Sequence, residues 1–211
     1  MTLAVSKAPR LILPHLYRFA PNRETLGGVA YLLCHPLGNV LVDCPFWDQV
    51  TQDFLGAQGG VQWLFLTQRD AISKAIAALV AEFNAVVVIQ EQESYLLPRL
   101  RVQTFTDTFT FAEGKQLIWT PGYSPGTACL YDPSQGGILF TGRHLLPNQQ
   151  GQLRPLRTAK TFHWPRHLKS LTKLQQFCRH RALTYICPGA HTGFLRGRDW
   201  VTPARPALDN A

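Results

Sequence analysis

No apolar run in this chain of 211 residues approaches the roughly 20 residues that a membrane-spanning helix needs. The N-terminal stretch has Lys7 and Arg10 but neither a long apolar core nor a small-residue cleavage site, so it reads poorly as a signal peptide. No C-x-x-C pair occurs among Cys34, Cys44, Cys129, Cys178 and Cys187. The odd count points to buried free thiols in a reducing compartment and hence to a cytoplasmic protein. The glycines lack the G-x-x-x-x-G-K-[ST] spacing of a phosphate loop, and no G-x-S-x-G elbow is present, which leaves serine-hydrolase chemistry unsupported. There is no internal linker, no low-complexity segment and no short-period repeat. One domain spanning residues 1–211 is therefore expected, with its core at 10–195 and a loose tail at 202–211.

Acidic residues are scarce in the last third. Residues 1–150 hold 10 Lys/Arg and 11 Asp/Glu, a balance of −1, whereas residues 151–211 hold 11 Lys/Arg and only Asp199 and Asp209, a balance of +9. The composition, 45% apolar and 16% charged, is that of a globular protein. The asymmetry implies a basic face that draws anionic partners, or simply a solvated basic surface, since no run of like charges forms.

The apolar pattern reads as strands at Leu11 to Phe19, Gly28 to Cys34, Asn39 to Asp43 and Trp63 to Leu66, with a short helix from Trp47 to Leu55. Ile72, Ala75, Ile76, Leu79, Val80 and Phe83 recur at spacings of three and four, which predicts a helix over Asp70 to Phe83. With the strand Val86 to Ile89, this makes a parallel βαβ unit. Shorter strands follow near Arg101 to Phe105, Phe109 to Phe111, Gln116 to Thr120, Thr127 to Tyr131 and Gly137 to Phe140. A second helix starts near Pro165, with Trp164, Leu168, Leu171, Leu174 and Cys178 on one face, and a last strand covers Leu183 to Cys187. Strands followed by helix in each half fit an α/β, αββα sandwich.

Four motifs punctuate these elements in order: Leu66-Thr67-Gln68-Arg69-Asp70, Thr120-Pro121-Gly122-Tyr123-Ser124-Pro125-Gly126, Phe140-Thr141-Gly142-Arg143-His144 and Pro188-Gly189-Ala190-His191. This arrangement resembles the metallo-β-lactamase fold superfamily, and among its members degenerate proteins of cyanobacteria and plastid-bearing organisms. The resemblance covers roughly residues 10 to 195. It implies two mixed sheets flanked by helices and, in active members, two zinc ions that generate a nucleophilic water.

At the positions where the family's H-x-H-x-D-H loop carries ligands, this chain has Gln68, Asp70, Ile72 and Ser73. Only Asp70 is a good ligand type, and an aspartate just before a helix is equally a cap for exposed N–H groups. Tyr123 replaces the histidine of the second loop, and a phenol of pKa ~10 stays protonated at neutral pH. Arg143 replaces the bridging aspartate of the third loop, and an always-charged guanidinium cannot ligate a cation. Ala190 replaces the last histidine, with His191 one residue later, facing either the pocket or solvent. None of the seven usual ligand positions keeps its residue, so no metal and no cofactor are expected.

The degenerate pocket is thus expected to comprise Asp43, Gln68, Asp70, Ser73, Tyr123, Arg143, His144 and His191. A cluster with Arg157, Lys160, His163 and Arg166 around Phe162 and Trp164 either binds an anionic, flat or acyl-bearing ligand or leaves its aromatics in the core. The expected role is a binding or assembly factor whose partner is an acidic protein or an anionic small ligand. The rivals are a hydrolase-like enzyme of the thioester or phosphodiester class with a metal-free site, using a histidine as base, and a nucleic-acid-binding protein that uses the basic last third. Arg143 is expected to neutralise Asp43, Asp70 or both where zinc would otherwise sit. Arg143→Ala should then lower the thermal unfolding midpoint, because it strands a carboxylate; a midpoint equal to that of the wild type would rule the pairing out.

Overall fold

The computed structural model describes residues 7–112 and 114–211. The chain divides into two compact units. The first runs up to Leu66 and includes Asp70–Val88 and Arg99–Gln103; the second holds Thr67–Arg69, Ile89–Pro98 and Thr104–Ala211.

A seven-stranded sheet runs in sequence order through β1 (Arg10–Leu13), β2 (Leu16–Arg18), β3 (Tyr31–Leu33), β4 (Val40–Val42), β5 (Trp63–Phe65), β6 (Val86–Gln90) and β7 (Val102–Phe105). The single opening strand expected from Leu11 to Phe19 is a hairpin instead. Pro14 offers no N–H to a ladder and His15 adopts φ 60°, so the chain reverses there and β1 pairs antiparallel with β2. The βαβ expectation holds: β4, β5 and β6 are parallel, joined by α1 (Gln49–Ala57) and α2 (Ile76–Phe83). Val40, Leu41 and Val42 are all buried, the continuous apolar run that a strand covered on both faces requires. Asp48 caps α1 by accepting from the Thr51 amide at 3.0 Å.

The expected cap role of Asp70 does not hold. Residues Arg69–Ala71 form a 3₁₀ turn and α2 starts only at Ile76, after Ala75, with no side-chain cap. Between the two, Ala71 and Ser73 are buried, so the segment follows its packing rather than the helical period.

The second unit is built on a five-stranded sheet, ordered β14 (Tyr185–Pro188), β11 (Ile138–Gly142), β10 (Ala128–Asp132), β9 (Lys115–Trp119) and β8 (Thr108–Phe111). The pair β11 and β14 is parallel and the others are antiparallel. The C-terminal ends of β9, β11 and β14 therefore point the same way, which gathers the loops that follow them at one end. A small hairpin joins β12 (Leu146–Pro147) to β13 (Leu153–Arg154).

Helix α3 (Trp164–Cys178) packs Leu171, Leu174 and Cys178 against Ile118, Cys129 and Ile186 of the sheet. Its apolar face is rotated from the expected one: Leu168 is 41% exposed, while His167 and Ser170 are buried. The expected loose tail is ordered structure. Residues Ala204–Asp209 form α4, and Ala204 and Leu208 join the same core.

The Arg205 guanidinium donates to the Cys178 and Arg181 carbonyls, at 2.6 and 2.5 Å, and so closes the C-terminus of α3 with a residue of α4. All five thiols are free of disulfides. Burial pushes Cys44 and Cys129 up to about 12 and Cys178 up to about 11, so none of these three is a ready thiolate. Arg205→Ala should cost about 2 kcal/mol, the worth of hydrogen bonds from a charged donor. Urea unfolding measures this, and an unchanged midpoint would show that the Arg205 bonds add nothing to the hold on α4.

Candidate functional site

The loop end of the second unit is organised by close backbone approach. At Gly122 a Cβ would lie 2.3 Å from the His167 Cα, so only glycine lets the loop after β9 reach the first turn of α3. That contact is stitched by the Ser170 hydroxyl donating to the Pro121 carbonyl at 2.7 Å and by the His163 amide donating to the Gly122 carbonyl at 3.0 Å. At Gly142 a Cβ would meet the Thr67 Oγ1 at 2.5 Å, and the Gly189 amide donates to the Gly142 carbonyl at 2.8 Å. The motif glycines thus serve packing, which needs no metal.

On this frame stand Tyr123, Arg143 and His191. Arg143, only 7% exposed, lies with its guanidinium 5.8 Å from the centre of the Tyr123 ring, a cation–π contact. His191 follows β14 in a left-handed conformation, with its ring 5.8 Å from that of Phe194. His191 is exposed and stands within electrostatic reach of Arg143. Partial burial and the Arg143 cation together lower its pKa.

His144 departs from the pocket assignment. It is fully buried, with its ring 4.7 Å from that of His167 on α3. The His167 Nε2 donates to the His144 carbonyl at 2.7 Å. Neither ring nitrogen of His144 has a hydrogen-bond partner among the described residues, and neither does the Nδ1 of His167. Burial lowers both pKa values, and the neighbouring His167 lowers that of His144 further.

Gln68 is buried in the second unit, beside Thr67, whose carbonyl accepts from the Ala128 amide at 2.8 Å. In the first unit Asp43 is buried at the end of β4, where its φ of 62° turns the chain and its amide donates to the Phe65 carbonyl at 2.8 Å. Asp70 is half-buried in its 3₁₀ turn, and Ser73 is buried.

The basic cluster is split in function. Arg157 and Lys160 are exposed. His163 instead caps α3, its Nδ1 accepting from the Arg166 amide at 3.1 Å. Arg166 lies 5.1 Å from the Trp119 ring, which Lys173 flanks at 5.9 Å. Of the two aromatics, Phe162 is 55% exposed, so the core alternative fails for it, whereas Trp164 is half-buried against His167.

Sequence reasoning missed His167, which occupies the buried stripe position next to Leu168, and the buried Glu93, paired with Arg69 at 2.9 Å. The helical period allowed His167, but apolar content favoured its neighbour; no local signal marks Glu93.

These residues do not fit a dinuclear zinc site. A guanidinium and a phenol hold two ligand positions, and His144 is turned onto α3. No group of three or more His, Cys, Asp or Glu among the described residues stands together in a way that could hold a metal ion.

No protein-family model and no curated protein matches the chain. Solved structures do. The DIM-1 metallo-β-lactamase matches with a TM-score of 0.70 at 11% identity, over 98% of this chain and 99% of that one. A metallo-β-lactamase superfamily protein of Sulfolobus tokodaii gives 0.63 at 14%, over 92% and 83%. A quorum-quenching N-acyl homoserine lactone lactonase gives 0.58 at 17%, over 88% and 93%. The chain has the metallo-β-lactamase fold, with the two mixed sheets and helices that the sequence implied.

Because the buried imidazoles of His144 and His167 stay neutral in the native state, the unfolded chain takes up protons first as pH falls below about 6.5. Their contribution to stability is complete above that pH and is lost on acidification toward their lowered native values. His144→Phe should flatten the fall in unfolding free energy between about pH 7 and pH 5. A slope as steep as that of the wild type would assign the acid sensitivity to other groups.

Proposed function

We propose that this chain is a non-catalytic binding or assembly factor on a metallo-β-lactamase scaffold, with a metal-free pocket that favours anionic partners. One observation carries the reading: the buried Arg143 guanidinium set against the Tyr123 ring, at two positions where the family resemblance calls for metal ligands. A fixed cation there substitutes for metal charge without supplying an open coordination site or a water of lowered pKa.

The Phe162 amide donates to the Tyr123 carbonyl at 2.9 Å, and Phe162, Lys160 and Arg157, all exposed, belong to one segment of the chain. An acidic protein segment or an anionic ligand with an apolar portion complements that surface. Single-stranded nucleic acid is the alternative polyanion, distinguished by a steep loss of binding with salt.

A second reading, a metal-independent hydrolase, draws on His191: an exposed imidazole with a lowered pKa beside Arg143 has the protonation state of a general base at neutral pH.

Metal content of the untagged protein, measured by mass spectrometry before and after excess zinc and dialysis, tests the proposal together with thioester and phosphodiester hydrolysis. Metal below about a tenth of an equivalent and no turnover are expected. Near-stoichiometric zinc would overturn the metal-free pocket. Turnover without zinc that disappears in His191→Gln would establish the second reading instead.

A further inference from the structure

A cavity of about 330 Å³ lies between β13 and α4, lined by residues that the Tyr123–Arg143 loops do not contribute. Its volume is at the lower end for small-molecule sites, room for a ligand of modest size. Its apolar lining comes from Leu153, Val201, Pro203, Pro206 and Ala207, and the charged groups in its lining are Arg154 and Arg198. No carboxylate side chain lines it, and none occurs anywhere in residues 133–198.

The arginines are held but not neutralised. Arg154 spends one Nη1 on the Leu153 and Asn210 carbonyls, which orients its guanidinium. Its Nε and Nη2 have no partner among the described residues. Arg198 makes one long bond, from Nε to the Leu195 carbonyl at 3.5 Å, and both of its Nη groups are uncommitted among the described residues. Two like charges facing one cavity, with only neutral carbonyls as acceptors, leave a positive field that an anion lowers in energy.

The α4 wall is fixed before any ligand arrives. Besides the Arg205 bonds described above, the Gln175 Nε2 donates to the Leu208 carbonyl at 3.0 Å, and Leu208 is buried in the core. A preformed site loses little affinity to ordering.

We infer that this cavity is a binding site for a compact organic anion, a carboxylate carried on a short alkyl or aryl body. The planar guanidinium fork matches a carboxylate, and the apolar wall takes the body, which a bare inorganic anion would leave unused. The inference is independent of the pocket-binding role proposed above, since it draws on none of the same side chains.

Titration with hexanoate, followed by amide chemical shifts at fixed ionic strength, tests it, with inorganic phosphate and 1-hexanol as probes of charge alone and apolar surface alone. Saturable hexanoate binding that moves the Val201 and Ala207 amides is expected, with phosphate and hexanol each at least about tenfold weaker. Arg198→Gln should weaken hexanoate about tenfold or more while the unfolding midpoint stays at the wild-type value, because Arg198 has so little bonding to lose. Arg198→Lys, which keeps the charge but not the fork, should fall between the two. Absence of saturable binding, phosphate binding as tight as hexanoate, or full hexanoate affinity in Arg198→Gln would each overturn the inference.

Discussion

The seat of α3 on the loop after β9 sets the geometry at the loop end of the second unit. It exists because Gly122 has no side chain: a Cβ there would stand inside the backbone of His167. Once that approach is made, the hydroxyl of Ser170 finds the Pro121 carbonyl, and the 162–163 segment hydrogen-bonds alongside Gly122 and Tyr123. The Nε2 of His167 reaches the His144 carbonyl, which ties the loop after β11 to the same helix. Tyr123 and His144 are tied to α3 through this contact, while the loop that carries Arg143 is also packed against Thr67 and Gly189. The proline and glycine positions of the loop motif therefore answer to packing. Packing of this kind holds the spacing of the loops whatever polar residues stand between the prolines and glycines.

Packing also explains what the sequence disclosed. Strand order and the parallel βαβ unit were legible because buried strands such as Val40–Val42 are apolar without interruption, and because turns announce themselves with proline and glycine. The hairpin at Pro14 was missed for want of a glycine, since His15 adopts a left-handed conformation that histidine seldom takes. The early start assigned to α2 came from trusting periodicity across Ala71 and Ser73, whose burial follows contacts far away in sequence. The tail after Thr202 read as loose because Pro203 and Pro206 dominate it. It is ordered by Leu208 and by a cap that Arg205 offers to a different helix, a partnership no local pattern encodes.

Within the candidate site, types of residue were legible and directions were not. That Tyr123 and Arg143 cannot bind zinc follows from their chemistry alone. That they stack on one another, that His163 serves α3 as a cap, and that His144 faces inward are facts of side-chain direction, fixed by which backbone atoms lie within reach. His144 is the instructive case. A histidine beside a motif position looks like a ligand, yet here it pairs with a second neutral histidine beneath the loops, and its two ring nitrogens go without hydrogen bonds among the described residues. Leaving such groups unpaired is costly, and that cost accompanies the tight closure around Gly122.

Charge completes the argument. Here the loop after β11 supplies its own cation, and the second unit continues in that sense, with no acidic side chain from residue 133 to residue 198. Arg157 and Arg198 are among its exposed cations. Self-repulsion among such cations lowers stability and is relieved by a bound anion. The scarcity of carboxylates in this stretch and the cation at residue 143 thus act in the same direction, toward a positive field on the loop end and the C-terminal third of the second unit.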